Sequence, residues 1–235
     1  MRIGILVLLV AAAFSQTVLD GAYTAAQATR GESAYQMNCG GCHGETLDGR
    51  AMGPLRGDKF LDRWREESLA PLFDHVRTRM PASAAGSLST ATYLDILAYI
   101  LQVNQYPAGK QELTPESVAH FKLVGKDGPK PLPSNTLVAV IGCFARANDE
   151  WEVSRATEPV RTRNADEISA EERTRAATLP LGSQEFQLSN LDELPSFKPE
   201  ALNGHKVETK GVLLRRPGKD RINVLTLEGA ASDCK

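Results

Sequence analysis

Apolar positions along this chain follow two different periods, and the change comes near residue 136. Residues 23–38, "YTAAQATRGESAYQMN", are a predicted helix, capped by Thr24 and favoured by their alanines. Over 68–79, "SLAPLFDHVRTR", a helix behind a Ser68 cap sets Leu69, Leu72, Phe73 and Val76 on one face. The Met80–Pro81 pair ends it, because a residue before proline is pushed out of the α region. Residues 89–104 carry the clearest pattern: behind Ser89, the positions Tyr93, Ile96, Leu97, Ile100 and Val103 recur at helical spacing. Glycine-rich sequence from Gly40 to Gly57 lies between the first two helices. No strand is expected before residue 136, so the first half is expected to be all-α with long loops.

From Pro107 onward proline, glycine and lysine accumulate, and 108–135 is expected to be a linker. The period then shortens. "TLVAVIGCF", "EWEVSR", "EFQLSN", "KVETKGVLLRR" and "DRINVLTLEG" are five β-rich runs separated by turn residues. Helical-looking "NADEISAEERTRAAT" sits between the second and third. The pattern predicts an all-β domain over 136–235, compatible with an OB-like five-stranded barrel.

The N-terminus changes the picture of where the protein works. Arg2 precedes "IGILVLLVAAAF", an apolar run shorter than the roughly 20 residues that span a bilayer. It fits the apolar region of a secretory signal, so residues 1–22 are expected to be a signal peptide, cut between Ala13 and Gln27. The expected location is periplasmic or otherwise exported, with membrane association only if the signal stays uncut. The chain of 235 residues suits two small domains, 23–107 and 136–235. Its 27 basic and 29 acidic residues leave no basic excess, which argues against a nucleic-acid partner.

Candidate chemistry concentrates in "NCGGCHG", residues 38–44. Two cysteines with two residues between them can bind zinc, exchange thiols, or be alkylated by a cofactor. A zinc site needs a second Cys or His pair, and Cys143 and Cys234 are distant and isolated. A thioredoxin-type site needs a βαβ context. The following histidine favours the third reading: Cys39, Cys42 and His43 make the Cys-x-x-Cys-His pattern of covalent haem attachment. The thiols would bond the porphyrin and the His43 imidazole would reach the iron. For the second axial position Met80 is the candidate, in a loop after a helix, with Met52 and His75 as competitors. Met52 follows the motif too closely to cross the ring, and His75 is expected to be exposed. His–Met ligation suits electron transfer, since a thioether favours ferrous iron.

These pieces carry a resemblance. Through "CGGCHG", "MGPLRG", "RMP" and the last helix with Tyr99, residues 23–106 resemble class I monohaem cytochromes c. The resemblance implies one haem c with iron. It also implies that the Pro54 carbonyl accepts a hydrogen bond from His43, and that Trp64 or Arg63 contacts a haem propionate. Gly31 and Tyr35 would cross the last helix near Tyr99. The stretches before Gly44 and after Met80 are also similar to cytochromes that accompany pyrroloquinoline quinone (PQQ) dehydrogenases. That likeness implies redox protein partners: such a dehydrogenase as donor, and another cytochrome or an oxidase as acceptor.

The remaining cysteines, Cys143 and Cys234, most simply pair in an exported protein. His120 and His205 lack metal-ligand spacing, and "LLRRPGKDR" is a solvated turn on its composition. The expected function is single-electron transfer, not catalysis. The rival readings are a haem enzyme or gas sensor with an open axial site, and a β-domain adaptor with a fused cytochrome.

Overall fold

A computed structural model describes residues 16–194 and 197–234. The chain divides into two compact units, Met1–Lys130 and Pro131–Lys235. The predicted signal segment lies largely outside the described residues. Its last part, 16–22, belongs to the first unit, because Val18 and Ala22 are buried in that core.

Among the described residues, the first unit holds five α-helices: α1 Ala25–Asn38, α2 Gly40–His43, α3 Gly57–Trp64, α4 Leu69–Arg79 and α5 Thr90–Val103. The Thr24 hydroxyl accepts from Gln27 N–H and starts α1, and Ser89 does the same for α5 through Thr92 N–H. Helices α1 and α5 cross where Gly31 meets the Asp95 carbonyl; a Cβ built at Gly31 would lie 1.8 Å from that oxygen. Tyr35 and Tyr99 pack beside the crossing with ring centroids 5.4 Å apart. Helix α3 was not expected from the glycine-rich sequence before it; its Phe60 and Trp64 are buried.

Two expectations fail in this unit. It is not strand-free: β1 (Gln16–Thr17), β2 (Glu67–Ser68) and β3 (Phe121–Leu123) form a small sheet, with β3 central. Strands this short show no readable alternation. Nor is 108–130 a linker. Leu113, Val118, Leu123 and Val124 are buried in the first core. The buried Gln27 side chain donates to Leu113 O at 3.1 Å and accepts from Leu113 N at 2.8 Å. Tyr106 donates to Val124 O at 2.6 Å. Proline and glycine there mark irregular backbone, which packs through scattered single apolar residues and leaves no period to read.

The second unit holds a six-stranded sheet: β4 Thr136–Ala147, β5 Glu150–Ala156, β6 Val160–Arg161, β7 Gln184–Ser189, β8 Lys206–Leu214 and β9 Asp220–Ala231. Five match the expected runs, and the two-residue β6 is the addition. Strand β4 pairs antiparallel with β5, β6 and β8, β8 pairs with β9, and β5 also pairs with β7. Strands β7 and β9 run parallel. On one face of β8, Val207 and Leu213 join a core with Val138, Phe144, Phe186 and Ile222. The alternate residues Lys206, Glu208 and Lys210 are also buried, beneath α6 (Ala170–Thr178). Lys210 Nζ bonds Glu172 at 2.8 Å and Glu167 O at 2.6 Å, and Lys206 Nζ bonds Ala177 O at 2.9 Å. Cys143 and Cys234 form a disulfide.

Candidate haem site

Helix α2 is a single turn that begins as α1 ends. His43 N–H donates to Cys39 O at 2.9 Å, so the whole Cys-x-x-Cys-His motif winds on one helical turn. Cys39 and Cys42 are free thiols. Burial, and then the neighbouring Cys42, push the Cys39 thiol up to about 11. The turn is tied down at both ends. Tyr35 donates to Gly44 O at 2.8 Å. Gly49 N–H donates to His43 O at 2.8 Å, and Ala51 and Met52 N–H both donate to Cys42 O at 3.0 Å. Gly44 and Gly49 have φ of 83° and 87°, which glycine adopts at least cost.

Cys39, Cys42 and His43 line a cavity of about 460 Å3. Its walls are mostly apolar, from Leu72 and Val76 of α4, Phe60 of α3, and Ile96 and Ile100 of α5. Met80, Trp64, Arg63, His75, Met52 and Pro54 also line it. Every residue expected at the site is therefore brought to one cavity. Two expectations need correction. The carbonyl that meets His43 is that of Gly53, 2.7 Å from Nδ1, not that of Pro54. Pro54 acts one atom group away: it biases Gly53 toward extended backbone and carries no N–H of its own. His75 is not exposed; it is half-buried, with its ring edge on Trp64 at 5.4 Å.

A carbonyl only accepts, so His43 carries its proton on Nδ1 and presents the unprotonated Nε2. Met80 follows the last residue of α4, its N–H bonded to Val76 O at 3.1 Å, and its side chain packs against the core. Met52 is 47% exposed, and its amide bond to Cys42 keeps it beside the motif. Arg63 lies 5.4 Å over the Trp64 ring, at the cavity, where a cation can meet an anionic substituent.

Sequence reasoning missed Asn104. It is buried at the end of α5, accepts from Gly57 N at 3.0 Å, and donates to Leu55 O at 2.9 Å and Ile100 O at 2.8 Å. The signal was an asparagine in phase with Leu97 and Ile100. The donor set fits a porphyrin: an apolar cavity, two free thiols at its wall, an imidazole of fixed tautomer and a thioether.

A helical unit with this motif at such a cavity defines a monohaem class I cytochrome c domain, followed here by a strand-rich domain. Residues 26–100 match the family described as cytochrome C oxidase, cbb3-type, subunit III. The domain carries haem c, covalently bound and holding iron. The crystal structure of the sulfane dehydrogenase SoxCD from Paracoccus pantotrophus is 22% identical, over 56% of this chain and 71% of that one. Its TM-score of 0.34 is too low to carry weight. No curated protein matches.

Proposed function

We propose that this protein is an exported carrier of single electrons, with Cys39 and Cys42 as haem attachment points and His43 and Met80 as axial ligands. The observation that carries the reading is the pairing of an imidazole and a thioether at one apolar cavity. Bound haem supplies a one-electron couple, and His–Met ligation raises its potential. The Gly53 carbonyl fixes the orientation and tautomer of the imidazole ring. The apolar wall from Leu72 to Ile100 excludes water. Arg63 and Trp64 would stabilise the haem's anionic edge.

With His43 and Met80 both holding the iron, no position would be left open for substrate, which sets this reading apart from a haem enzyme or gas sensor. The test is the absorption band of an iron–thioether bond in the oxidised protein. It should be present in wild type and lost in Met80→Ala, which should also bind carbon monoxide rapidly when reduced. A wild type that lacks the band and binds carbon monoxide as fast as the variant refutes the ligation.

The donor in this proposal is a periplasmic PQQ-dependent dehydrogenase, and the acceptor another cytochrome or an oxidase. Native purification checks it: a co-purifying dehydrogenase without a quinone cofactor would replace the donor. For the second unit the proposal is an OB-like barrel, supported by the order in which β4, β5, β7, β9 and β8 pair back to β4.

A further inference from the structure

We infer that the Tyr93 hydroxyl is the positioning group that holds Met80 at the haem cavity. The inference rests on the reading of Met80 as an axial ligand. Tyr93 lies in the first turn of α5 and is 1% exposed. Its hydroxyl donates to Met80 O at 2.6 Å and accepts from Leu88 N–H at 3.3 Å. One oxygen thus ties together both ends of the segment Met80–Leu88. The residues between are poor in other anchors. Ala82 to Ser87 are exposed, and none is charged.

The hydrogen bonds within this segment span only three to six residues: Ala84 N to Pro81 O at 2.9 Å, Ser87 N to Ala84 O at 3.2 Å, and Gly86 N to Met80 O at 3.3 Å. They shape the loop without fixing it to the rest of the unit. Met80 itself has left the helix, with φ −123° and ψ 154°, so its carbonyl is not part of the α4 ladder. A phenol rooted in the buried start of α5 is what sets that carbonyl, and with it the Cα from which the thioether reaches. Phenylalanine at this position would keep the ring in the core and remove only the tie.

The test uses full-length, haem-loaded protein and three variants: Tyr93→Phe, Tyr23→Phe and Met80→Ala. Tyr23 is a matched control, since its buried hydroxyl also donates to a carbonyl, Tyr106 O at 2.7 Å. Carbon monoxide binding to the reduced protein reads how often Met80 leaves the iron. Tyr93→Phe loses the bonds to both Met80 O and Leu88 N and should bind at least about fivefold faster than wild type, the effect of losing the Met80 bond alone on an opening equilibrium. Its iron–thioether band should bleach at lower temperature, while Tyr23→Phe matches wild type in carbon monoxide rate.

Equal rates in the two tyrosine variants, with Met80→Ala fast, overturn the positioning role and leave the ligand reading standing. A wild type already as fast as Met80→Ala overturns both. A second measurement needs no variant: the Leu88 amide should exchange slowly with solvent, and exchange at the rate of an unstructured amide overturns the tie.

Discussion

Replacing Gly31 by alanine should separate α1 from α5. The Cβ would stand 1.8 Å from Asp95 O, 2.4 Å from Asp95 C and 3.0 Å from the Tyr99 Cβ. Ordinary contact needs roughly 1.5 Å more than the first of these. The obstacle is backbone on α5, so no side chain can swing aside, and the helices must part. Overpacking of this kind costs about 3 kcal/mol. Alanine regains about 1 kcal/mol over glycine in a helix interior. The net loss of about 2 kcal/mol lowers the midpoint of a unit this size by about 8 °C. Soret circular dichroism during heating follows the haem-bearing unit selectively. Gly125→Ala, where the added Cβ meets nothing within 4 Å, is the control and should leave the midpoint in place. A Gly31→Ala midpoint within about 2 °C of wild type would refute the close-crossing argument.

Three further outcomes follow from the packing. Replacing Cys143 and Cys234 by serine should lower the urea stability of the second unit by about 4–5 kcal/mol on the chain-entropy model, given a separation of 91 residues; an unchanged midpoint contradicts this. Asn104→Ala removes the bonds to Gly57, Leu55 and Ile100, and should cost about 2–3 kcal/mol while speeding exchange of the Gly57 amide. Glu208 is 1% exposed, and burial first, then the Glu172 carboxylate, raise its pKa against the opposing charges of Lys210 and Arg175. A raised acid contributes stability below its unfolded pKa and loses it as pH rises through the folded one. The second unit should therefore weaken as pH climbs out of the ordinary carboxylate range, and Glu208→Gln should flatten that decline. Parallel urea-midpoint curves for the two proteins would remove Glu208 as the cause.

What the sequence made legible was whatever repeats or is chemically singular. Helix α1 announces itself by its Thr24 cap and alanines, α5 by its Ser89 cap and apolar period, and α4 by its period alone, since Ser68 at its start makes no side-chain capping bond. The five long strands of the second unit show as β-rich runs between turns. The haem motif is legible because three residue types at fixed spacing admit little else. The small sheet of β1, β2 and β3 was not, since two or three residues cannot show a period. Lys206, Glu208 and Lys210 are charged residues at alternate positions of β8. Burial beneath α6 was hidden because the pairing partners, Glu172 and the carbonyls of Glu167 and Ala177, come from a distant stretch. Gly53 could not be told from Pro54 by composition, because the acceptor is a backbone atom and every residue has one.

The hidden contacts in the first unit share a logic. The loops that border the cavity have no ladder of their own, so their carbonyls depend on side chains from the α1–α5 pair. Tyr35 of α1 holds Gly44 beside the motif, Tyr93 of α5 holds Met80, and Asn104, just past the end of α5, holds Leu55. Residues 93, 97, 100 and 104 fall on one stripe of helical spacing, and Ile96 and Ile100 of the same helix line the cavity. Tyr93 and Asn104 are eleven residues apart, roughly 16 Å of helix rise. One helix thus spaces the Met80 segment from the segment around Leu55, while its apolar middle forms a wall between them. Since Gly31 sets how closely α1 can approach that helix, strain introduced at the crossing reaches both loops through these polar side chains. Gly31→Ala should therefore also speed carbon monoxide binding, although residue 31 does not line the cavity.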